Sequence, residues 1–492
     1  MGFGWRQPVV YIHRWLGIAG GLLFVAWFAS GIVMMYARMP ELPAAQVLER
    51  LPALDLTAIR VTPAGNEAAP ERPIDRVRVS MLQSRPVYRL GSGRTTVTVF
   101  ADTGEPMPGV GRAEAVALVQ AFVPEHARTV QYDALLTDAD QWTMAVRAMM
   151  PLHRVALGDA DDTYFYVSQP SGEIVMRTTA VERRWAYPGA VLHWLYFAPF
   201  RRQAAVWTQT IIWLSVAGCV MCIAGLLWGI TLARRPPYTG LMKWHHYGGL
   251  IFGVTTLTWV FSGLLSMGPW GWSPGSAPTR AQRERVAGGP LNLEGLTADA
   301  LRRAAGMLQS SLGRELLKEV EVQQFAAELS LRGHSRLVSL AHPDRGAVER
   351  FSDEAIVRAA RLAMPDVPIE DMTWLQEYDA YYYARNQQLA LPILRVRYLD
   401  ANATWLYLDP RRGVIARKEE RRSRIERWLY HGLHSLDFPF LYHRRPLWDI
   451  VVIALSIGGL VLSATTLLPG WRRVRRVISR SSPSPPRSSV DR

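Results

Sequence analysis

Cysteine is almost missing from this chain: there are two in 492 residues, Cys219 and Cys222, and both fall inside one long apolar stretch. The rest of the chain has no thiol for a disulfide; an oxidising compartment permits such bonds without requiring them. The Cys-Val-Met-Cys spacing resembles a redox pair, although two small core residues of an apolar helix would look the same. Charge is absent from four stretches. Residues 15–36, 203–233, 244–267 and 450–471 contain no Asp, Glu, Lys or Arg. A bilayer core of about 30 Å needs about 20 apolar residues of helix, so each stretch is long enough to cross one. Also missing are a His-Glu-x-x-His pair, a phosphate loop and a Gly-x-Gly-x-x-Gly turn opening a helix. Nothing therefore points to a zinc peptidase or to a nucleotide, flavin or nicotinamide site.

Acids are scarce where bases cluster. Residues 1–14 hold Arg6 and Arg14 and no acid. The link 234–243 holds Arg234, Arg235 and Lys243 and no acid. The tail 472–492 holds seven arginines against Asp491. These segments carry 11 of the 14 net positive charges. By the positive-inside rule they belong in the cytoplasm, which puts both termini inside and both long loops outside. Arg201-Arg202 and Arg444-Arg445 break the rule by standing at the outer face. The charge left over is too dispersed for a nucleic-acid footprint. The first apolar stretch is too long for a signal-peptide core and lacks a convincing cleavage site, so it reads as an uncleaved anchor.

The sequence repeats itself. At an offset of 241, residues 150–155 align with 391–396, Asp159 with Asp400, Thr163 with Thr404, Tyr166 with Tyr407, Gly172 with Gly413, His193 with His434, Trp207 with Trp448, Ser215 with Ser456 and Gly218 with Gly459. At an offset of 232, His13 pairs with His245, Gly17 with Gly249, Trp27 with Trp259 and Ser30-Gly31 with Ser262-Gly263. Each half then reads as helix, outer domain, helix. Two hairpins of one orientation form parallel repeats about an axis along the membrane normal, which places matched residues at equal depth.

Between the spans the pattern is α+β. Residues 37–72 read as a Pro- and Ala-rich lead-in. Strands are expected at 86–90 and 95–100 across Gly91-Ser-Gly93, then at 129–135 paired with 142–146, and at 154–157 paired with 163–167. A helix is expected at 112–122. In the second half, helices are expected at 298–317 and 353–363, with strands at 381–384, 395–398 and 404–408. Asp159, Asp161, Asp162, Asp379 and Asp400 suit a cation or, more simply, solvated turns. Tyr378 and Tyr381 to Tyr383 suit a stacked ligand or a sheet core.

Seven of the eleven histidines stand at span ends: His13, His193, His245, His246, His431, His434 and His443. The repeat sorts four of them into two depth-matched pairs, His13 with His245 on the cytoplasmic side and His193 with His434 on the outer side. Two imidazoles on facing helices are what a six-coordinate b-type haem requires, so two such haems are expected, with His246 and His431 as weaker alternative ligands. Gly17 and Gly249 would give room for the haem plane, and Arg201, Arg202, Arg444 and Arg445 would meet its propionates. Histidines that cap or snorkel, and another metal, remain open readings. Zinc would want a tetrahedral set that the spacing does not supply.

His13-Arg-Trp-Leu-Gly17 with Ser30-Gly31, His245-His-Tyr-Gly-Gly249, Arg427-Trp-Leu-Tyr-His-Gly-Leu-His-Ser-Leu-Asp-Phe438 and Arg445-Pro-Leu-Trp-Asp449 resemble the PepSY-associated transmembrane family. Pro86-Val-Tyr-Arg-Leu90 through Asp102-Thr-Gly104 resembles a PepSY strand unit. The resemblance covers nearly the whole chain. It implies an inner-membrane protein of Gram-negative bacteria with PepSY-like periplasmic domains, b-type haem and, in some relatives, ferric-siderophore reduction for iron uptake. His431 has no counterpart in the first half, where Tyr187-Pro-Gly189 stands against Tyr430-His-Gly432. The expected division is a cytoplasmic N-terminus (1–14), a first span (15–36), a periplasmic domain with its pre-membrane histidine segment (37–202), a second span (203–233), a cytoplasmic loop (234–243), a third span (244–267), a second such domain (268–446), a fourth span (447–471) and a basic, disordered tail (472–492). The expected activity is electron transfer through haem b from quinol or a redox partner to a ferric siderophore. The alternative is a non-enzymatic, membrane-anchored periplasmic module that binds or regulates.

Overall fold

A computed structural model of the chain describes residues 5–63, 74–93, 95–273, 275–384 and 389–481. The chain divides into two units, one helical and one sheet-bearing.

The helical unit contains four helices long and apolar enough to cross a membrane: Arg6–Met34, Ala204–Thr231, Gly240–Ser266 and Leu447–Ser481. The first packs on the second and fourth, and the third packs on the same two, which closes a four-helix ring. Small residues allow close approach in such bundles. Gly218 and Gly459 lie under aromatic or branched side chains of the neighbouring helices. Phe24, Phe28, Cys222 and Val260 form the buried centre, flanked by Trp27, Trp259, Met221 and Leu460. The first helix begins at Arg6, ahead of the charge-free stretch, so His13 and Arg14 are helical. The fourth helix runs on through Pro469 to Ser481. Half of the segment expected as a disordered tail is therefore helical; residues 482–492 lie outside the described residues.

The sheet-bearing unit has three antiparallel sheets among the described residues. Strands β1 (Arg76–Leu82), β2 (Arg85–Ser92) and β3 (Thr95–Phe100) come from the first half. Strands β4 (Gln131–Leu136), β5 (Leu152–Ala156), β6 (Tyr164–Ser168) and β7 (Ile174–Thr178) form a second sheet in that order. From the second half come β8 (Glu319–Phe325), β9 (Glu328–Gly333) and β10 (Arg336–Ser339). The third sheet is β11 (Ile369–Leu375), β12 (Ile393–Tyr398), β13 (Trp405–Asp409) and β14 (Val414–Glu419).

The first and last triplets join. β1 pairs with β8, giving a six-stranded sheet in the order β10-β9-β8-β1-β2-β3. The sequences explain the joint. Arg76-Val-Arg-Val79 lies against Glu319-Val-Glu-Val322, valines on one face and opposite charges on the other. Arg76 meets Glu321 at 2.6 Å and Arg78 meets Glu319 at 3.1 Å. Opposite charges across strands stabilise a register. The valine face buries Val77, Val79, Val320 and Val322 under Leu301, Ala304, Ala305 and Leu308 of the helix Ala298–Ser311. That helix stops short of the expected residue 317, just before Gly313 at φ 66°. The helices Arg112–Phe122 and Asp353–Ala363 fall at the expected residues and bury apolar faces in the cores of the second and third sheets.

Two expected strands are not strands. Residues 143–149 form a 3-10 turn, and 381–384 form an irregular bend. The cause is the same in both places. Asp140 Oδ1 accepts the backbone N–H groups of Trp142 and Thr143 at 2.9 and 3.0 Å. Asp379 Oδ1 accepts those of Tyr381 and Tyr382 at 2.8 and 2.6 Å. A short acid that captures its own following N–H groups withdraws them from a ladder. β4 therefore pairs with β5 rather than with residues 142–146.

Candidate metal centres in the helical unit

His13 and His245 lie near the starts of the first and third long helices, and their ring centres are 6.0 Å apart. His193 and His434 sit on the segments leading into the second and fourth, with ring centres 6.1 Å apart. A metal–imidazole bond of about 2 Å and a nitrogen-to-centre distance of about 1.1 Å put two rings on one metal about 6.2 Å apart. Both pairs match that spacing. They occupy opposite ends of the bundle: Ser30, which touches His193, is about 25 Å along the helix from His13.

All four imidazoles are oriented in the same way. His13 Nδ1 is 2.9 Å from the Met221 carbonyl oxygen, and His245 Nδ1 is 3.3 Å from that of Leu462 and 3.2 Å from Thr465 Oγ1. His193 Nδ1 is 3.2 Å from the Trp27 carbonyl oxygen, and His434 Nδ1 is 3.2 Å from that of Trp259. A carbonyl can only accept, so Nδ1 carries the proton and Nε2 the lone pair. This is how metal-binding histidines are commonly held. Ser30 and Ser262 add a second contact. Each donates its hydroxyl to the same tryptophan carbonyl, at 3.1 and 2.9 Å, and stands 3.1 and 3.0 Å from the histidine Nδ1. The adjoining glycines give clearance: a Cβ on Gly31 or Gly263 would stand 3.5 or 3.7 Å from the ring.

The segments that carry His193 and His434 are anchored alike. Trp207 Nε1 donates to the carbonyl of Trp194, and Trp448 Nε1 to that of Ser435, at 3.1 and 2.8 Å. Leu195 and Leu436 both take φ 49°, a left-handed conformation that costs a non-glycine residue about 1–2 kcal/mol. Strain of this kind persists where the surroundings over-determine it. In addition, Arg427 and Asp437 form a buried ion pair at 3.2 Å, with side chains 3% and 2% exposed.

Glycines shape the other end. Gly17 and Gly249 stand one turn beyond His13 and His245, and a Cβ there would meet only Met221 at 3.8 Å and Leu462 at 4.0 Å. Gly225, on the second long helix, faces the same histidine: a Cβ on it would overlap the His13 imidazole. A glycine facing a histidine on another helix leaves no trace in one-dimensional spacing.

The arginines separate. Arg201 packs over Trp207 and Tyr196 at 4.5 and 5.3 Å, and its Nε and Nη1 are buried without a hydrogen-bond acceptor. Burying such donors unpaired is costly, so this is a fitting place for an anionic group. Arg445 instead spends its charge on Asp449, while Arg202 and Arg444 lie on the same short segments. His246 is buried against Tyr238, ring centres 5.8 Å apart, with Nε2 unpartnered. His431 lies against Tyr430 at 4.5 Å. His245 and His434 each face a histidine of the other half, at 6.0 and 6.1 Å, and are therefore the better-placed candidates.

Asp159, Asp400 and Tyr382, candidate groups of the sheets, are engaged in local structure. Asp159 accepts from the N–H and hydroxyl of Thr163, and Asp400 from those of Thr404. Tyr382 stacks on Tyr407 at 5.2 Å, both fully buried. A cavity of about 460 Å³ opens beside the second sheet, with Phe122, Leu157 and Phe165 as apolar lining and Arg50, Glu125 and Arg177 among the polar groups. Among the described residues no three His, Cys, Asp or Glu side chains converge as a metal site. Each imidazole pair therefore supplies two ligands only, and a metal held there needs its remaining ligands from elsewhere. No protein-family model and no curated protein matches this sequence.

Proposed function

We propose that the chain is an inner-membrane electron-transfer protein that holds two b-type haems and reduces a ferric chelate, such as a ferric siderophore, during iron uptake. The observation that carries this reading is the pairing of His13 with His245 and of His193 with His434, at 6.0 and 6.1 Å, each with Nδ1 on a backbone carbonyl. A bound haem would supply the remaining ligands to the metal and a one-electron carrier at each level. The protein does the rest. The Nδ1 bonds fix the tautomer and aim Nε2; Gly17, Gly249, Gly31 and Gly263 keep the ring faces clear; Arg201 meets an anionic edge. The charge distribution puts the termini and the His13/His245 level at the cytoplasm. The His193/His434 level and the PepSY-like domains then face the periplasm, where the chelate arrives. Electrons enter from quinol or a redox partner. Fe(III) gains one electron, and the hard oxygen donors of a siderophore hold the resulting Fe(II) less strongly.

The repeat supports equal depth within each pair. Ser30 and the Trp27 carbonyl meet His193, and Ser262 and the Trp259 carbonyl, 232 residues on, meet His434 in the same way. A second reading, a binding module anchored by its helices, draws on the cavity beside the second sheet. An optical spectrum of the detergent-purified protein decides between them. Two low-spin haems per chain are expected, one lost in both His13→Ala and His245→Ala and the other in both His193→Ala and His434→Ala. A colourless protein from haem-replete cells, or loss that crosses between the pairs, sinks the proposal.

A further inference from the structure

Between the two imidazole levels lies a buried apolar layer with a regular arrangement. His193 is held by the carbonyl of Trp27, whose ring is 5.7 Å from Phe24. Phe24 rests on Gly218: a Cβ there would stand 3.1 Å from the ring. One turn along the same helix, the Met221 carbonyl holds His13. A second path follows the same order of residue types, with its phenylalanine again supplied by the first helix. His434 is held by the carbonyl of Trp259, whose ring is 5.7 Å from Phe28. Phe28 lies so closely on Gly459 that a Cβ would overlap it. One turn on, the Leu462 carbonyl meets His245. Each path starts and ends at the Nδ1 of a histidine and crosses the bundle through one tryptophan, one phenylalanine and one glycine. Phe24 and Phe28 are 5% and 7% exposed. The central stretches of all four helices contain no Asp, Glu, Lys or Arg.

We propose that Phe24 and Phe28, seated on Gly218 and Gly459, are the residues that couple the two imidazole levels electronically, in a layer that passes electrons and not protons. The inference rests on the function proposed above. Its physical basis is that electronic coupling decays faster across a gap than through packed atoms, and a ring lying on a bare glycine backbone removes the gap. In each transfer one electron leaves the His13/His245 level, which is oxidised, and reaches the His193/His434 level, which is reduced. No bond forms or breaks, and with no Asp, Glu, Lys or Arg in the layer no charged side chain is there to carry a proton with the electron. These are positioning residues: they touch the supports of the histidines and not the reacting atoms.

The test uses the full-length holoprotein in lipid nanodiscs, photoreduced from one side by a flash and followed by freeze-quench electron paramagnetic resonance. The imidazole planes are 35° apart in one pair and 70° in the other, which gives the two ferric centres distinct signals. Phe28→Ala should slow transfer between the centres several-fold, and Phe24→Ala with Phe28→Ala should slow it further. Haem content, both spectra and both midpoint potentials should stay unchanged. Phe28→Leu, which keeps most of the volume, should recover part of the rate and guards against a variant that misfolds. An unchanged rate in the double variant, with both haems present, overturns the coupling role alone. A wild-type protein without paired haems overturns the function and this inference together.

Discussion

Gly225→Ala is the sharpest probe of the His13/His245 pair, because it adds a single methyl group on a different helix from either histidine. An alanine Cβ would overlap His13 Cε1 and stand 2.7 Å from Nδ1, where ordinary contact begins near 3.4 Å. The ring must therefore retreat by at least about 0.7 Å, since packed interiors leave little room to share the strain. Two bonds resist that retreat. The Nδ1 contact to Met221, 2.9 Å in the structure, would stretch beyond hydrogen-bond range. The metal bond on the other side tolerates only about 0.2 Å. Local helix propensity works the other way: alanine is the better helix former by about 1 kcal/mol, so a general loss of folding is not the expected cause. The expected result is one haem per chain, with the signal of the 70° pair intact and that of the 35° pair lost. Gly229→Ala is the control one turn away; its Cβ would meet Leu250 at an ordinary 3.5 Å, and both haems should remain. Pyridine haemochrome titration against protein concentration gives the count. Two haems in Gly225→Ala with both signals unaltered would refute the placement of the metal between His13 and His245.

Ser30→Ala and Ser262→Ala remove one of two acceptors from His193 and His434 and leave the tryptophan carbonyl, so each should weaken haem retention about tenfold, the low end for such supports, read as the rate of haem loss to an excess of apo-acceptor. Glu173 binds Arg78 at 2.7 Å and approaches Arg89 at 3.3 Å; Glu173→Gln leaves Arg89, 5% exposed, without its counter-charge and should cost about 2–3 kcal/mol, less than a fully buried pair because Arg78 keeps Glu319. Burial raises the Glu173 pKa, but Arg89 and Arg78 outweigh it and hold the carboxyl below its ordinary value. Its stabilisation is thus present above about pH 4.5 and is lost as the pH falls below that, so the melting points of wild type and Glu173→Gln should converge in acid. Leu301→Ala, at a fully buried position under the six-stranded sheet, should cost about 2–5 kcal/mol and lower the melting temperature without altering the optical spectrum.

The apolar helices were legible because bilayer length is a coarse quantity written in consecutive residues. The histidine pairs were legible because two constant offsets sort residues by depth without a three-dimensional fold. Much of the sheet architecture was not legible. Arg76-Val-Arg-Val79 and Glu319-Val-Glu-Val322 alternate plainly, but they are more than 240 residues apart, and their partnership depends on charges that only pairing reveals. The strands expected at 142–146 and 381–384 failed for a local reason: aromatic and β-branched residues there favour a strand, while Asp140 and Asp379 withdraw the N–H groups such a strand would need. Gly225 escaped because its role lies in what it leaves empty for a residue 212 positions away.

Positions 241 residues apart also separate what the His193/His434 pair requires from what each segment happened to acquire. Both segments have the tryptophan donor, Trp207 or Trp448, bound to the carbonyl after the histidine, and both have a leucine at φ 49° one residue later. Both histidines also have a serine, a glycine and a tryptophan carbonyl on the facing helix. The buried Arg427–Asp437 pair belongs to one segment only, for Ala186 and Tyr196 stand at the corresponding places in the other. An ion pair that anchored the ligand geometry itself should recur where that geometry recurs. It does not, whereas the strained leucine does, in spite of its cost. The shared elements therefore fix where the imidazole points, and the ion pair serves the turn from 427 to 437, which in this half carries the additional His431 and Gly432. Asp437→Asn should accordingly loosen that turn, seen as faster amide exchange over 427–437, while the 6.1 Å pairing of His434 with His193 persists.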